Sequence, residues 1–109
     1  MSEADGTIPR EARSESRVAI IIPTFEDWDS LDVLLPALDD AVAGRGLAVR
    51  VVVVDDCSSP PMPAALRNRT YRHLRRVEIL RLRRNLGHQR AIAMGLVTVH
   101  QHAGSLDAI

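Results

Sequence analysis

Residues 47–56 read LAVRVVVVDD, and this stretch decides the fold. Its four consecutive valines show no polar alternation, which indicates a strand buried on both faces, as in a parallel sheet. Residues 18–22 read VAIII and end at Pro23, which cannot continue a hydrogen-bonded ladder, so they predict a first strand of the same kind. Two strands buried on both faces imply helices on both sides of the sheet.

A helix is predicted between these two strands. Asp29 or Ser30 is suited to cap its start, Gly44 and Gly46 are suited to end it, and Pro36 inside it favours a kink. Five apolar residues recur at the spacing of one helix face, and they are Leu31, Leu34, Leu35, Leu38 and Val42. This spacing fits a helix better than it fits a strand.

The alternation of strand and helix patterns continues to the end of the sequence. We predict a short helix over residues 64–74, a third strand over 77–82, a helix over 88–103 that ends at Gly104, and the start of a fourth strand at 107–109. The apolar face of the last helix consists of Ile92, Leu96 and Val99. The order β-α-β-α-β-α-β predicts an α/β fold, a Rossmann-like parallel sheet with right-handed crossovers and helices on both faces.

Composition limits the class of protein. With 109 residues, 46% of them apolar and 26% charged, the chain fits one globular core preceded by a disordered polar tail over residues 1–16. The apolar runs are too short to span a bilayer, and the acidic start does not resemble a secretion signal. The single Cys57 cannot form an internal disulfide and is interpreted as a buried or loop thiol. We therefore expect a cytoplasmic protein without a transmembrane segment in this chain.

Acidic and basic residues are separated along the chain. Residues 1–56 hold twelve acidic side chains and five arginines, whereas residues 57–109 hold two acidic side chains and nine arginines. In open parallel sheets, ligands bind beyond the carboxyl ends of the strands, which here are followed by residues 23–27, 55–59 and 83–90. Carboxylates suit a nucleoside and a basic helix start suits a diphosphate, so this order of charges matches a bound nucleoside diphosphate.

Each of these signals also has a purely structural interpretation. Asp55 and Asp56 are of the residue type that caps turns after strands, Gly87 can supply a left-handed turn, and His88 opens a helix where histidines are often solvated. Five further arginines are interpreted as a solvated face outside the site: Arg67, Arg69, Arg72, Arg75 and Arg76.

Three motifs, taken in order, carry a resemblance to a known family. Residues 21–27 read IIPTFED, residues 52–59 read VVVDDCSS, and residues 84–96 read RNLGHQRAIAMGL. Together they resemble the family 2 glycosyltransferases with the GT-A fold. The resemblance implies a partial nucleotide-binding domain over residues 17–109, the strand order 3-2-1-4, and a nucleotide-sugar as the donor substrate.

The same resemblance implies which residues bind the donor. The turn with Pro23, Thr24 and Glu26 lies where these enzymes hold the nucleoside, although Glu26 replaces a commoner asparagine. Asp55 and Asp56 match the acidic pair of the family, of which the second accepts a hydrogen bond from the base. These five residues therefore form the nucleoside half of the expected site.

The diphosphate half of the expected site comes from the start of the last predicted helix, with Asn85, Gly87 and His88. His88 stands where Lys or Arg is common, which would make it a weaker, pH-dependent cation. In the family, an Asp-x-Asp motif after the fourth strand binds Mg²⁺ or Mn²⁺, and the acceptor-binding half with the catalytic base follows. Neither occurs before Ile109. We therefore expect an incomplete and inactive part of an enzyme, without metal ligands and with its catalytic residues unknown.

Several partners and alternatives remain open. The acceptor implied by the resemblance is a lipid phosphate, a polysaccharide or a protein glycan, with the complete enzyme at the inner face of the membrane. An alternative is a non-catalytic nucleotide-binding remnant that acts in a complex. A phosphate-receiver domain is disfavoured because the sequence has no lysine and no aspartate between Asp56 and Asp107. Nucleic-acid binding is disfavoured by the zero net charge and the 3% aromatic content.

Overall fold

Strands and helices alternate along the chain as predicted. The computed structural model describes residues 15–102 and 106–109. In chain order, the elements of this part are β1 Ser16–Thr24, α1 Trp28–Ala41, β2 Leu47–Asp55, α2 Ala64–Arg67, β3 Leu74–Arg81 and α3 His88–His102. The predicted tail lies outside the described residues except for Glu15 and Ser16, and Ser16 already begins β1. The predicted helix end at Gly104 also lies outside them.

The three strands form one parallel sheet in the order β1-β2-β3, and β1 and β2 pair along their whole length. The predicted order 3-2-1 is therefore confirmed for these strands. The structure has three strands, and at the predicted start of a fourth strand the described residues form a single parallel bridge between Ala108 and Val18, which is shorter than a strand. The Ala19 N–H donates to the Ala108 carbonyl at 3.0 Å, so this bridge lies on the side of β1 where the fourth strand was expected.

The central strand β2 is buried on both faces, as its valine run predicts. Val51 and Val53 pack in a cluster with apolar residues of α1 and α2, whereas Val52 and Val54 pack with α3. Each of these valines is at most 1% exposed. Full burial of a valine side chain contributes about 2 kcal/mol, so this run is a principal source of stability. The helices thus cover both faces of the sheet.

Asp27 caps the start of α1, so the prediction of Asp29 or Ser30 as the cap is wrong. The Asp27 Oδ1 accepts a hydrogen bond from the Ser30 N–H at 3.1 Å, and the Ser30 hydroxyl donates to Asp27 Oδ2 at 2.7 Å. A capping side chain reaches the N–H three residues later, which fits Asp27 with Ser30. The Ser30 hydroxyl, followed by its N–H, lowers the pKa of Asp27 from its ordinary value of 3.8.

Pro36 lies inside α1 without ending it. Because proline has no N–H, the Asp32 carbonyl four residues earlier lacks its usual helical donor. Arg69 supplies a replacement: its Nη1 donates to the Asp32 carbonyl at 3.0 Å, and its Nη2 contacts the Asp32 carboxylate. Arg69 is half-buried and supports α1, whereas the other four arginines of the predicted solvated face are exposed.

α2 ends after one turn at Arg67, so the prediction of a helix to residue 74 is wrong. The buried carboxylate of Asp39 on α1 accepts hydrogen bonds from the backbone N–H groups of Arg72, His73 and Leu74 at 3.2, 2.8 and 2.9 Å. N–H groups committed to this carboxylate are not available to a helix. The chain therefore leaves the helical conformation early, and β3 begins at Leu74 rather than at residue 77.

Two apolar residues predicted on buried helix faces are exposed, because the core-facing stripe of each helix is narrower than predicted. Leu34 of α1 is 44% exposed and Leu96 of α3 is 42% exposed. In α3 the buried residues follow a spacing of four, and they are Ala91, Gly95 and Val99. Their small side chains allow α3 to pack closely against the sheet.

We expect Gly95→Ala to lower the free energy of unfolding by about 1–2 kcal/mol, although alanine is the better helix former. A Cβ atom at this position would lie 2.6 Å from Ile21 Cγ2 and 2.9 Å from Val54 Cγ2, which are stiff, branched side chains in the core. Urea unfolding measures the change. As a control, Ala93→Gly on the exposed side of α3 should cost about 1 kcal/mol through helix propensity alone. A stabilised Gly95→Ala variant would contradict close packing of α3.

Candidate functional site

A cleft of about 310 Å³ lies at the carboxyl ends of β1 and β2 and the start of α3. The residues that line it are Pro23, Thr24, Phe25, Asp56, Asn85, Gly87, His88 and Ala91. The structure thus brings together every predicted site residue except Glu26 and Asp55, which lie beside the cleft. Another cavity, of about 250 Å³, lies between α2 and β3, and no predicted site residue lines it.

Asp56 holds the two sides of the cleft together. Its side chain is buried, its Oδ1 accepts from the Leu86 N–H at 2.7 Å, and its Oδ2 accepts from the Gly87 N–H at 2.9 Å. Its own N–H donates to the Thr24 carbonyl at 2.9 Å, and Asn85 Nδ2 donates to the Asp56 carbonyl at 3.2 Å. Each carboxylate oxygen has two lone pairs, so one on each oxygen is left to accept from a ligand.

Asp55, the first member of the acidic pair, is directed to the loop after β2. It is 2% exposed, and its Oδ1 accepts from the Ser58 N–H at 2.9 Å. Its Oδ2 lies 3.9 Å from Arg81 Nε at the end of β3. Asp55 therefore shapes the turn that follows β2, which is the structural interpretation that its sequence position also allowed. Cys57 lies in this turn, with its Sγ 3.5 Å from the Arg83 carbonyl.

Glu26 links the loop after β1 to the loop after β2. Its N–H donates to Ser58 Oγ at 2.9 Å, and its Oε2 accepts from the Ser59 N–H at 2.9 Å. Trp28 adds a third hydrogen bond between the same two segments, since its Nε1 donates to the Pro60 carbonyl at 2.9 Å. We refer to these three hydrogen bonds as the loop clamp.

The start of α3 lines the cleft with Gly87, His88 and Ala91, and two arginines lie nearby in the sequence. Gly87 has φ 92, a left-handed conformation that favours glycine, and its carbonyl accepts the first helical hydrogen bond from the Ala91 N–H at 2.9 Å. The N–H groups of the first helical turn have no acceptor within the helix, which favours an anion there. His88 is exposed at this end, and Arg84 and Arg90 have no acidic partner among the residues that the structure describes.

Three residues of the site were not identified from the sequence. Phe25 lines the cleft and is 49% exposed, and an aromatic residue directly after a buried strand is a signal that could have identified it. Ala91 lines the cleft from the first turn of α3, but it has no feature in the sequence that marks it. Ser58 is 1% exposed and holds the loop clamp, and only the tertiary contacts reveal this role.

The described residues do not provide a metal site. Within residues 15–102 and 106–109, no group of three or more His, Cys, Asp or Glu side chains is placed to hold a metal ion. Divalent cations of the Mg²⁺ and Mn²⁺ type need several oxygen ligands from one constellation. The donor set found here therefore does not fit the divalent metal that the resemblance implies.

Comparison with known proteins identifies the family. The family model described as Glycosyl transferase family 2 matches residues 19–99. Over 78 residues, the chain is 36% identical to an undecaprenyl-phosphate 4-deoxy-4-formamido-L-arabinose transferase of Edwardsiella ictaluri (strain 93-146). This match covers 72% of the chain and 24% of the relative, so the chain spans about a quarter of that protein's length. No solved structure matches the chain significantly. The cleft at the carboxyl edge of the sheet lies within the matched residues, and the chain belongs to glycosyl transferase family 2.

Proposed function

We propose that this chain provides the donor-binding part of a glycosyltransferase that moves a sugar from a nucleotide-diphosphate donor to an acceptor. The observation that carries the proposal is the cleft of about 310 Å³, which combines the half-exposed Phe25, the buried carboxylate of Asp56 and the start of α3 at His88. These are the three chemical features that a base, its polar edge and a diphosphate require.

In the proposed complex, the nucleoside lies between the turn after β1 and the loop before α3. Phe25, which lines the cleft and is half-exposed, offers a stacking surface for the base, and such stacking contributes about 1–3 kcal/mol. Asp56 accepts from the base with the lone pairs that Leu86 and Gly87 leave free. Pro23 and Thr24 also line the cleft and would contact the nucleoside.

Transfer breaks the bond between the sugar C1 atom and the diphosphate oxygen and forms a bond from C1 to the acceptor oxygen. An ionised phosphate acceptor attacks as an anion, whereas a hydroxyl acceptor gives its proton to a base, which is not assigned among the described residues. The nucleoside diphosphate leaves with additional negative charge. Fixed N–H donors at the start of α3 and the side chain of His88, when protonated, stabilise that charge. The described residues form no site for Mg²⁺ or Mn²⁺, so none of them is a candidate ligand of such a metal.

A lipid phosphate is the first acceptor to test, because the relative from Edwardsiella ictaluri carries undecaprenyl-phosphate in its name. A lipid acceptor would place the complete protein at the inner face of the membrane. Among the described helices, none is both long and apolar enough to cross a bilayer. Polysaccharides and protein glycans complete the acceptor panel. Measurement of sugar transfer to these acceptors by the complete protein distinguishes a transferase from a non-catalytic nucleotide-binding protein.

We expect His88→Glu to weaken the binding of a nucleoside diphosphate on the order of tenfold, because it places a negative charge at the helix end that faces the diphosphate. Calorimetry with UDP, GDP and ADP on the purified chain measures the affinity. His100→Glu is the matched control, since His100 is exposed near the opposite end of α3 and should leave the affinity unchanged. Equal losses in both variants, or no binding by the unmodified chain, would contradict the proposed function.

A further inference from the structure

The loop clamp joins two loops that lie far apart in the sequence. Glu26 donates through its N–H to Ser58 and accepts through its carboxylate from the Ser59 N–H, so it is held from both its main chain and its side chain. Trp28 adds a third hydrogen bond, to the Pro60 carbonyl. These contacts connect the turn after β1 with residues more than 30 positions later.

One residue of the clamp and one residue next to it have an unusual backbone conformation. Glu26 has φ 55 and Cys57, next to Ser58, has φ 65, and they are the two non-glycine residues with positive φ in the described part of the chain. Side chains with a Cβ atom seldom adopt this left-handed region, and such residues persist where surrounding contacts hold them in place. The hydrogen bonds of Glu26 supply those contacts.

Ser58 anchors the clamp to the sheet. It is 1% exposed, its N–H donates to Asp55 Oδ1 at 2.9 Å, and its carbonyl accepts from Arg81 Nη2 at 3.3 Å. Since Asp55 ends β2 and Arg81 ends β3, the acceptor that Ser58 offers to Glu26 has a fixed position relative to both strands. The turn after β1 is therefore located by the ends of the two neighbouring strands.

Phe25 directly precedes Glu26 and forms part of the cleft wall, so the backbone direction at Glu26 determines where the Phe25 ring lies. Glu26 itself does not line the cleft, and its Oε2 is engaged by the Ser59 N–H. We propose that Glu26 is a positioning residue, which sets the affinity for the nucleoside through Ser58 and Ser59 by holding the turn that carries Phe25. This inference rests on the proposed nucleotide-binding function.

Three variants separate this role from a direct contact with the ligand. Glu26→Gly removes the carboxylate, and because glycine adopts φ 55 freely, the variant should fold without backbone strain. Glu26→Gln keeps an oxygen that can accept from the Ser59 N–H, so it should rescue the clamp without the negative charge. Ser58→Ala removes the acceptor of the Glu26 N–H and tests the clamp from its other end.

The experiment measures the affinity for UDP, GDP and ADP by calorimetry, and the free energy of unfolding of each variant in urea. Trp28 is the single tryptophan of the chain, so its fluorescence emission reports the clamp directly. We expect the glycine and alanine variants to bind about tenfold more weakly and to alter the Trp28 emission in the same direction. Glu26→Gln should resemble the unmodified chain in both measurements.

Each other outcome overturns the inference. Unchanged affinity in Glu26→Gly and Ser58→Ala would overturn the positioning role while the proposed function stands. An equal loss in Glu26→Gln and Glu26→Gly would mean that the charge itself acts on the ligand, which also overturns it. If the unmodified chain binds none of the three nucleotides, both the proposed function and the role of the clamp in it are overturned.

Discussion

Replacement of Asp56 by alanine is expected to lower the free energy of unfolding by about 3 kcal/mol, because the Leu86 and Gly87 N–H groups lose a charged acceptor. The loop before α3 then keeps only the hydrogen bond from Asn85 to the Asp56 main-chain carbonyl, so the cleft should lose its shape as well. The affinity for a nucleoside diphosphate should fall by about 1–3 kcal/mol. Urea unfolding and calorimetry measure the two effects.

Two variants control this experiment. Asp56→Asn keeps one carbonyl oxygen but directs an amide group at one of the N–H donors. Its free energy of unfolding should therefore lie between those of the unmodified chain and Asp56→Ala. Asp29→Ala removes an exposed carboxylate of α1 and should change neither stability nor affinity by a comparable amount. If Asp56→Ala were as stable as the unmodified chain, the two hydrogen bonds to the α3 loop could not be what holds the cleft.

Asp39→Ala is expected to have an effect of similar size, about 3 kcal/mol, on the free energy of unfolding. Three backbone N–H groups, at Arg72, His73 and Leu74, lose their shared acceptor, and buried donors left without a partner are costly. The neighbouring Asp40 is exposed and provides the matched control, since Asp40→Ala removes the same group from the same helix. Similar unfolding midpoints for the two variants would contradict the assigned role of Asp39.

The contribution of Asp39 should also depend on pH. Burial disfavours its charged form, but hydrogen bonds from the N–H groups of Leu74, His73 and Arg72, with the nearby His73 charge, outweigh burial and lower the pKa of Asp39 from its ordinary value of 3.8. A group with a lowered folded-state pKa stabilises the fold above its unfolded pKa and loses this effect as pH falls through the folded value.

The difference in unfolding free energy between the unmodified chain and Asp39→Ala should therefore be constant near neutral pH and narrow below about pH 4. Urea unfolding of both proteins at a series of pH values measures it. A difference that stays the same down to about pH 3 would mean that the charge of Asp39 does not drive these hydrogen bonds.

The position of β2 at the centre of the sheet could be predicted because its side chains are buried on both faces of the sheet. A run such as Val51 to Val54 has no polar position to present to water, so it belongs at the centre of a parallel sheet wherever the helices lie. The ends of parallel strands then gather at one edge, which is why Thr24, Asp56 and His88 line one cleft although they are distant in the sequence.

Long-range hydrogen bonds and packing against the sheet, which no local pattern reveals, account for several differences between the prediction and the structure. The sequence predicted that α2 continues past Arg67. In the structure, the carboxylate of Asp39 accepts hydrogen bonds from the backbone N–H groups that such a helix would need. The sequence also does not reveal that the guanidinium of Arg69 reaches the carbonyl that Pro36 leaves without a donor. Leu96 was assigned to the core because it is large and apolar, although close packing on the sheet favours the small Gly95.

By itself, the sequence determined the α/β class, the succession of strands and helices, and the edge of the sheet where the cleft lies, because hydrophobic periodicity is a local property and the ends of parallel strands gather at one edge. Tertiary structure alone decided that Asp56 anchors the α3 loop, that Asp55 turns towards Ser58, and that Glu26 is clamped to the next loop. Those roles depend on which N–H groups come within hydrogen-bond distance once distant segments meet. A short side chain can satisfy only the donors that the fold places beside it.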